Sequence, residues 1–325
     1  MNFAIIGCGL IGKKRASALP SGSKIVGCYD TETKTADKFA QDFNTISYAT
    51  VNDLLHIDNL DAVIIATRHN SLSSLASESL ASGLNVFVEK PGAVNFLEFK
   101  HVAELARRNK LKLHVGYNHR YHPAITKAFE IVSSGEIGSI MFLRGRYGHG
   151  GRIGYEKEWR ANKSESGGGE LIDQGTHLLD LSIGFLGAVQ LEYAAIPTYF
   201  WKMPVEDNAF ISVKNVQGSI AFLHASCTEW KNMFSFEVYG EGGKLDINGL
   251  GNSYGTETLT FHKVPPEMGP PISKTWTFTE EDKSWEVELS DFIYDIENGT
   301  NKSDNVPSSL EVLRVIGEIY QGVNK

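Results

Sequence analysis

Cysteine is scarce. Cys8, Cys28 and Cys227 are the three in 325 residues, and they are scattered. That spacing excludes a disulfide framework and the paired ligands of a zinc site, so no metal is expected. Buried, reduced thiols in a cytoplasmic protein are the expectation. No apolar run approaches the roughly 20 residues needed to cross a bilayer. The chain opens on a strand-like run and not on a basic, signal-like segment. Positive charge is also short: 31 Lys and Arg against 39 Asp and Glu give a net charge of -8, which argues against a general nucleic-acid binder. Repeats and low-complexity tracts are missing. What is there, 42% hydrophobic and 22% charged residues, is ordinary for a globular protein, and 325 residues suggest two domains.

The first third alternates between short apolar runs and helix-compatible stretches. Residues 3–6, Phe-Ala-Ile-Ile, form a continuous apolar run, as in a strand covered on both faces. Gly7-Cys8-Gly9-Leu10-Ile11-Gly12 follows, then a stretch fit for a helix. In such a turn the first glycine makes the bend and the second lets backbone approach a pyrophosphate. The third lets helix and strand pack closely, and the helix N-terminus favours the anion. A strand over 24–29 ends at Asp30, about 20 residues beyond the glycines, where a carboxylate accepts from a ribose 2′-OH and repels a 2′-phosphate. Thr31-Glu32-Thr33 bring no cation, so NAD is expected in preference to NADP. Helices over 33–42, 51–55, 71–82 and 96–108 alternate with strands over 60–66, 85–88 and 112–115. Alternation of this kind implies a parallel sheet, with ligands at the carboxyl ends of its strands. Residues 67–70, 89–91 and 116–120 fall there. Lys90, held stiffly before Pro91 and suited to precede a cis peptide, can donate to a substrate oxygen and stabilise developing charge.

The rest of the chain reads differently. Arg120 and Tyr121 lead into a helix over 124–132, and a strand over 139–147 ends in Tyr147. A glycine-rich loop over 148–160 carries His149, Arg152, Tyr155, Trp159 and Arg160 and is expected to cover substrate. Arg144, Arg146, Arg152 and Arg160 are suited to bidentate recognition of phosphate or carboxylate, although solvated arginines look the same in sequence. Gly167-Gly168-Gly169 gives backbone that can pass close to a ligand. An apolar helical run follows, in which Asp173 and His177 are four apart and share a face. A carboxylate beside an imidazole raises its pKa and orients it, which is the wiring of a general base. The competing reading is an acidic first turn and a core histidine. Strands over 190–197, 208–213, 218–228, 235–239, 244–247 and 257–262 follow without helices between them, as in an antiparallel sheet. A surface loop over 265–271 and amphipathic helices over 284–298 and 308–321 complete the chain.

As a set these residues resemble the Gfo/Idh/MocA family. The matching positions are Gly7, Gly9 and Gly12; Asp30; Ala66-Thr67; Glu89-Lys90-Pro91; and Gly116-Tyr117-Asn118 with Arg120, Tyr121 and Pro123. Trp159-Arg160, Gly167-Gly168-Gly169 with Asp173, His177 and Asp180, and Tyr239-Gly240-Glu241-Gly242-Gly243 continue the match over nearly the whole chain. The resemblance implies an α/β protein: an N-terminal Rossmann parallel sheet over 1–118, then a C-terminal α/β domain over 119–325 with an open, mostly antiparallel sheet. It implies that Lys90, Asp173 and His177 are catalytic. It implies that Gly7, Gly9, Leu10, Ile11, Gly12, Asp30, Thr67, Glu89 and Lys90 bind the cofactor. Lys90, Arg120, Tyr147, Arg152, Trp159, Arg160, Asp173 and His177 are the implied substrate contacts. Arg68 and His69 replace the usual Pro and Asn, and Leu72 replaces a usual His. Arg68 and His69 either face the cofactor or substrate or are solvated loop residues, and the solvated reading is preferred.

The expected protein is a cytoplasmic, NAD-dependent oxidoreductase acting on a secondary alcohol of a sugar, nucleotide sugar or inositol. A nucleotide-linked sugar is preferred because of the arginine-bearing loop. Nucleic acid and membrane are not expected as partners, and a homo-oligomer through the C-terminal sheet is. Two alternatives stay open: a non-catalytic NAD-sensing regulator, and a glycosidase that uses NAD without net oxidation. Which of Lys90 and His177 is the formal base also stays open.

Overall fold

The short apolar runs of the first 116 residues become strands, four of them buried almost throughout and the edge strand at Lys24–Tyr29 only in part. They are β1 (Asn2–Ile6), β2 (Lys24–Tyr29), β3 (Ala62–Ile65), β4 (Asn85–Glu89) and β5 (Leu113–Gly116). They pair in the order β2-β1-β3-β4-β5, all parallel. Helices α1 (Leu10–Ser17), α2 (Thr33–Asp42), α3 (Val51–Leu55), α4 (His69–Ala81) and α5 (Phe96–Asn109) make the crossovers. Local chemistry sets their starts. Thr50 Oγ1 accepts the Asp53 amide at the head of α3. At α5, Asn95 Oδ1 accepts the Glu98 amide while Asn95 Nδ2 donates to the Glu98 carboxylate, a reciprocal cap.

The second sheet is mixed. After α6 (Pro123–Ser133) come β6 (Ile140–Gly148), the short α7 (Lys163–Ser166) and α8 (Glu170–Asp173), and α9 (Gly175–Leu186). Then follow β7 (Val189–Ala195), β8 (Asn208–Asn215), β9 (Ile220–Ser226), β10 (Met233–Gly240), β11 (Gly243–Asn248), β12 (Glu257–Lys263) and β13 (Ile272–Phe278). The eight strands run in the order β13-β12-β11-β10-β6-β9-β8-β7. Every pair is antiparallel except β6 with β9, where the intervening helices carry the chain back to the same end. Strand β13 is absent from the sequence-based expectation. It is an edge strand, exposed over Ile272, Ser273, Lys274 and Thr275, and only Trp276 and Phe278 are partly covered, an alternation too short to read as a strand.

Two helices close the chain, α10 (Ser284–Asn298) and α11 (Val306–Gly322). This computed structural model describes residues 1–322 and divides into two units. One contains Met1–Asn118 with Trp285–Leu310; the other contains His119–Ser284 with the chain from Glu311. Residues 285–310, expected in the second domain, therefore lie with the first unit. Leu289, Phe292 and Ile293 of α10 are the reason: they pack into the same core as Phe3, Ile5, Ile64 and Phe87. Their burial contributes on the order of 2 kcal/mol per side chain, which outweighs chain order. The second unit has its own core, which includes Leu143, Leu178, Leu223, Phe236, Leu245 and Ile316. Among the described residues no helix is long and apolar enough to cross a membrane.

The turn after α10 is held by one carboxylate. Asp295 accepts from the Lys302 and Ser303 amides at 2.9 and 2.7 Å and from the hydroxyls of Thr300 and Ser303. These bonds outweigh the desolvation of the carboxylate and hold its pKa down at about 2. A folded-state pKa below the unfolded value gives stability that is present above about pH 4 and is lost as pH falls toward 2. Asp295→Asn should therefore cost about 2 kcal/mol at pH 7. In urea unfolding series the gap between wild type and variant should narrow steadily below pH 4. A gap independent of pH would show that charge at Asp295 is not what holds the turn.

Candidate active site

In the first unit, the turn between β1 and α1 has the shape of a dinucleotide cradle. Gly7 has φ +95°, and a methyl there would lie 2.5 Å from the Ala66 carbonyl oxygen. A methyl on Gly12 would lie 1.9 Å from the Gly7 carbonyl oxygen, so helix and strand pack at a distance only glycine permits. Over Gly9 the same construction meets nothing within 4 Å. The middle of the turn thus opens outward at the N-terminus of α1, where amides face an anion. Asp30 Oδ2 accepts the Cys8 amide at 2.8 Å and Oδ1 accepts the Glu32 amide at 2.9 Å. The carboxylate is fixed beside the glycine turn and keeps lone pairs for a ribose. These residues fit a bound NAD.

The carboxyl ends of the neighbouring strands carry the other candidates. Thr67 is positioned by the Ser71 hydroxyl, which donates to its Oγ1 at 2.8 Å. The Lys90-Pro91 peptide is cis. Glu89, expected as a cofactor contact, turns inward: it is buried and its Oε1 accepts from Arg15 Nε at 2.6 Å. Arg68 is exposed at the head of α4, as expected of a solvated residue. His69 is not solvated; it is buried as the first residue of α4. Leu72 is a core residue with no exposed surface.

In the second unit, the glycine triplet has a different reason from the one expected. A methyl on Gly168 would overlap the Tyr320 hydroxyl, at 1.8 Å, and one on Gly169 would lie 2.0 Å from the Glu206 carbonyl oxygen. The close approach is to the protein itself. Beneath the turn, Glu206 Oε1 accepts the Gly169 and Leu171 amides at 2.9 and 3.2 Å and the Tyr320 hydroxyl at 2.7 Å. The helical run expected to carry both Asp173 and His177 is broken at Gln174, so Asp173 ends α8 and His177 lies in the first turn of α9.

Two clusters result. Asp173 Oδ2 accepts from Arg160 Nε at 2.8 Å, and that carboxylate holds the guanidinium pKa above its ordinary value. Beside it, buried Glu170 accepts from the Tyr155 hydroxyl at 2.8 Å and stands 3.8 Å from His149 Nε2. His149 Nδ1 accepts the Gly151 amide, which places the proton of the neutral ring on Nε2. Burial lowers the pKa of His149 and keeps the ring neutral near pH 7. The other cluster is aromatic. The His177 ring stacks on His119 with centroids 3.8 Å apart and 16° between planes, and Tyr147 meets His177 edge-on at 5.9 Å. Tyr147 faces Tyr254 at 5.0 Å, and burial raises the pKa of Tyr147 well above the ordinary phenol value.

Three further arginines hold carboxylates. Arg120 donates through Nε and Nη2 to both oxygens of Asp180, at 2.6 Å each. Arg152 is exposed and grips Glu158 with two bonds of 2.7 Å. Arg144 pairs with Glu237. Along β6, Arg144 and Arg146 alternate with buried Leu143, Gly145 and Tyr147 and so lie on the face opposite Tyr147. Trp159 stacks under the Arg160 guanidinium at 4.7 Å. His119, Glu170, Glu206 and Tyr254 were not singled out from the sequence as site residues. His119 had a signal, the polar string Asn118-His119-Arg120-Tyr121-His122 following β5.

Comparison with known proteins agrees with this architecture. Residues 1–117 match the model described as oxidoreductase family, NAD-binding Rossmann fold, and residues 125–246 match the Gfo/Idh/MocA C-terminal domain. Glucose-6-phosphate 3-dehydrogenase of Bacillus subtilis (strain 168) is 28% identical over 183 residues, covering 55% of this chain and 52% of that protein. The chain thus spans about half the length of that relative, and 46% of an uncharacterized oxidoreductase of Streptococcus pneumoniae. Levoglucosan dehydrogenase of Pseudarthrobacter phenanthrenivorans is 25% identical over 290 residues, 76% of this chain and 73% of that one. A solved levoglucosan dehydrogenase, in complex with NADH and levoglucosan, superposes with a TM-score of 0.89 at 20% identity, over 99% of this chain and 96% of that one. With both of its domain models matched in order along the sequence, the chain belongs to the Gfo/Idh/MocA family of NAD-binding, Rossmann-fold oxidoreductases.

Proposed function

We propose that this protein is an NAD-dependent dehydrogenase acting on a secondary alcohol of a neutral sugar or inositol. The observation that carries the reading is the buried His177 imidazole, stacked on His119 beside Tyr147, in a member of an oxidoreductase family. When bound, NAD supplies the hydride-accepting carbon. Gly7, Gly9 and Gly12 leave room for its pyrophosphate, and Asp30 receives the ribose hydroxyls. Lys90 donates to the substrate oxygen and stabilises charge developing there. His177 takes the hydroxyl proton, and Asp173, tied to Arg160, sets the electrostatics of that step.

Charge pairing selects the substrate class. A phosphate or nucleotide-linked substrate needs a guanidinium whose charge is not already matched. Arg120, Arg152 and Arg160 each hold a carboxylate at 2.6 to 2.8 Å, which moves our preference from nucleotide sugars to neutral polyols. The proposal extends to setting and assembly. Three buried, unlinked cysteines suit a reducing cytoplasm. Met141, Tyr193 and Phe222, exposed on the eight-stranded sheet, suit a homo-oligomer through it. A screen of levoglucosan, myo-inositol, glucose, glucose 6-phosphate and a nucleotide sugar, following NADH absorbance, tests the reading. Turnover confined to the charged substrates would overturn the neutral-polyol assignment, and NAD binding without turnover of any would favour a sensor.

Cofactor choice gives a second test. Asp30 should favour NAD over NADP by at least about tenfold in dissociation constant, since a 2′-phosphate would face a fixed carboxylate. Asp30→Ser should narrow that ratio. Equal affinities in the unmodified protein would remove Asp30 from the ribose site.

The acid-base assignments give a third. Lys90→Ala should leave the NAD dissociation constant nearly unchanged and lower turnover by on the order of 10²-fold. His177→Ala should lower turnover by roughly 10² to 10⁴-fold, the range of a lost general base. Thermal unfolding run in parallel separates chemistry from packing. If His177→Ala melts far lower yet its folded fraction turns over normally, His177 is a core histidine and the base lies elsewhere.

A further inference from the structure

A guanidinium without exposed surface lies inside the first unit. Arg15, on α1 one turn past the glycine turn, is 0% exposed. Its Nε donates to Glu89 Oε1 at 2.6 Å and its Nη1 donates to Glu288 Oε2 at 2.7 Å. Its two faces are covered by aromatic rings, Phe87 at 4.4 Å and Trp285 at 4.3 Å. A methyl on Gly116 would lie 2.6 Å from Arg15 Nη2 and 2.9 Å from Glu89 Oε1, so the end of β5 must be glycine for this pair to form. Glu288 also faces His114 Nε2 at 3.3 Å. Asn305 completes the frame, donating to the Val115 carbonyl at 2.6 Å and accepting the Val115 amide at 3.0 Å.

We propose that Arg15 is a positioning residue for Lys90: its fork draws Glu89 and Glu288 onto one guanidinium and so fixes the carboxyl end of β4, from which Lys90 extends. Two carboxylates around one buried cation are a poor source of stability. Well-packed apolar side chains of similar volume would serve as well or better. What the fork supplies is direction, since a planar guanidinium bonds in a fixed plane and Phe87 and Trp285 hold that plane. The device links the helix that begins at the cofactor turn to the strand that ends at the candidate catalytic lysine. Glu89 is the adjacent residue in the chain, so a tilt of its peptide moves Lys90 directly. Burial, with the neighbouring Glu288 carboxylate, raises the pKa of Glu89, and Arg15 opposes the rise.

The proposal rests on the reading of Lys90 as a catalytic residue, and its test is built to stand apart from that reading. The full chain, with NAD present, is treated with acetic anhydride and each lysine's acetylation rate is read by peptide mass spectrometry for wild type, Arg15→Met and Arg15→Lys. The Lys90 rate should change by about tenfold in either variant, because small displacements of a held group have large kinetic effects. Lys13 and Lys100 should stay within about twofold of wild type in the same samples. Arg15→Lys keeps a buried cation without the fork and covers the case in which the methionine variant does not fold. With the substrate found by the screen, Arg15→Lys should lower kcat by roughly tenfold and leave KM within about threefold. A folded variant that melts lower but acetylates Lys90 at the wild-type rate would make Arg15 a packing residue and overturn the proposal. Acetylation needs no substrate. Normal turnover of Lys90→Ala would therefore remove the catalytic reading while leaving the positioning result intact.

Discussion

An ionised group taken out of water costs several kcal/mol unless partners replace its hydration, and both units bury carboxylates where the regular backbone stops. Irregular backbone has amides that no helix or strand satisfies, and an acceptor must be found for each buried one. Here side-chain carboxylates supply it. Glu206 takes the amides of Gly169 and Leu171 at the glycine turn. Asp207 takes those of Tyr199, Phe200 and Trp201. Glu257 takes those of Ala124 and Gly251. In the first unit Asp30, only half-buried, accepts the Cys8 and Glu32 amides in the same way. The segments that carry the candidate chemistry are thus fixed from below by buried charge, and the strands supply the platform.

This constraint explains which features could be read from the sequence. The parallel sheet was legible because a strand buried on both faces must be apolar throughout, as 3–6 and 62–65 are. The glycine turn and Asp30 were legible because both follow a strand at fixed offsets. Lys90, Asp173, His177 and Arg160 stood out in the sequence as candidates, from their local setting and from the family resemblance. Strand β13 was hidden by its exposure at the sheet edge. The place of 285–310 was hidden because amphipathicity says that a helix is covered, and does not say by which core.

Other misreadings share one cause: sequence shows that a residue is small, charged or aromatic, but not which neighbour meets it. Gly168 and Gly169 were correctly seen as sites of close approach, yet Tyr320 and Glu206 occupy the approach. Glu89 was correctly seen as an acid at a strand end, yet Arg15, 74 residues earlier, claims it. Arg144 and Arg146 were read as candidates for binding phosphate or carboxylate, yet the alternation along β6 puts both on the face opposite Tyr147. The break at Gln174 is another feature that spacing does not show. Spacing alone puts Asp173 and His177 one helical turn apart, and it took the structure to show Arg160 on Asp173 and His119 on His177.

The same energetics bear on whether the protein is an enzyme or a sensor. A sensor of NAD needs the first unit's cradle and some means of transmitting occupancy. It has no need of Asp173, Glu170, Arg160, His149, His119 and His177 gathered in the second unit. Such a set is costly to bury: each carboxylate must keep a partner, and each imidazole must keep its hydrogen bonds. Apolar side chains in their place would leave the unit at least as stable. His149 illustrates the point, since its depressed pKa and its bond from Gly151 hold it in one tautomer beside Glu170 at neutral pH. A tautomer fixed in this way serves proton traffic or the orientation of a hydroxyl-bearing substrate. Both are demands of alcohol oxidation. Neither is made by the binding of a dinucleotide alone.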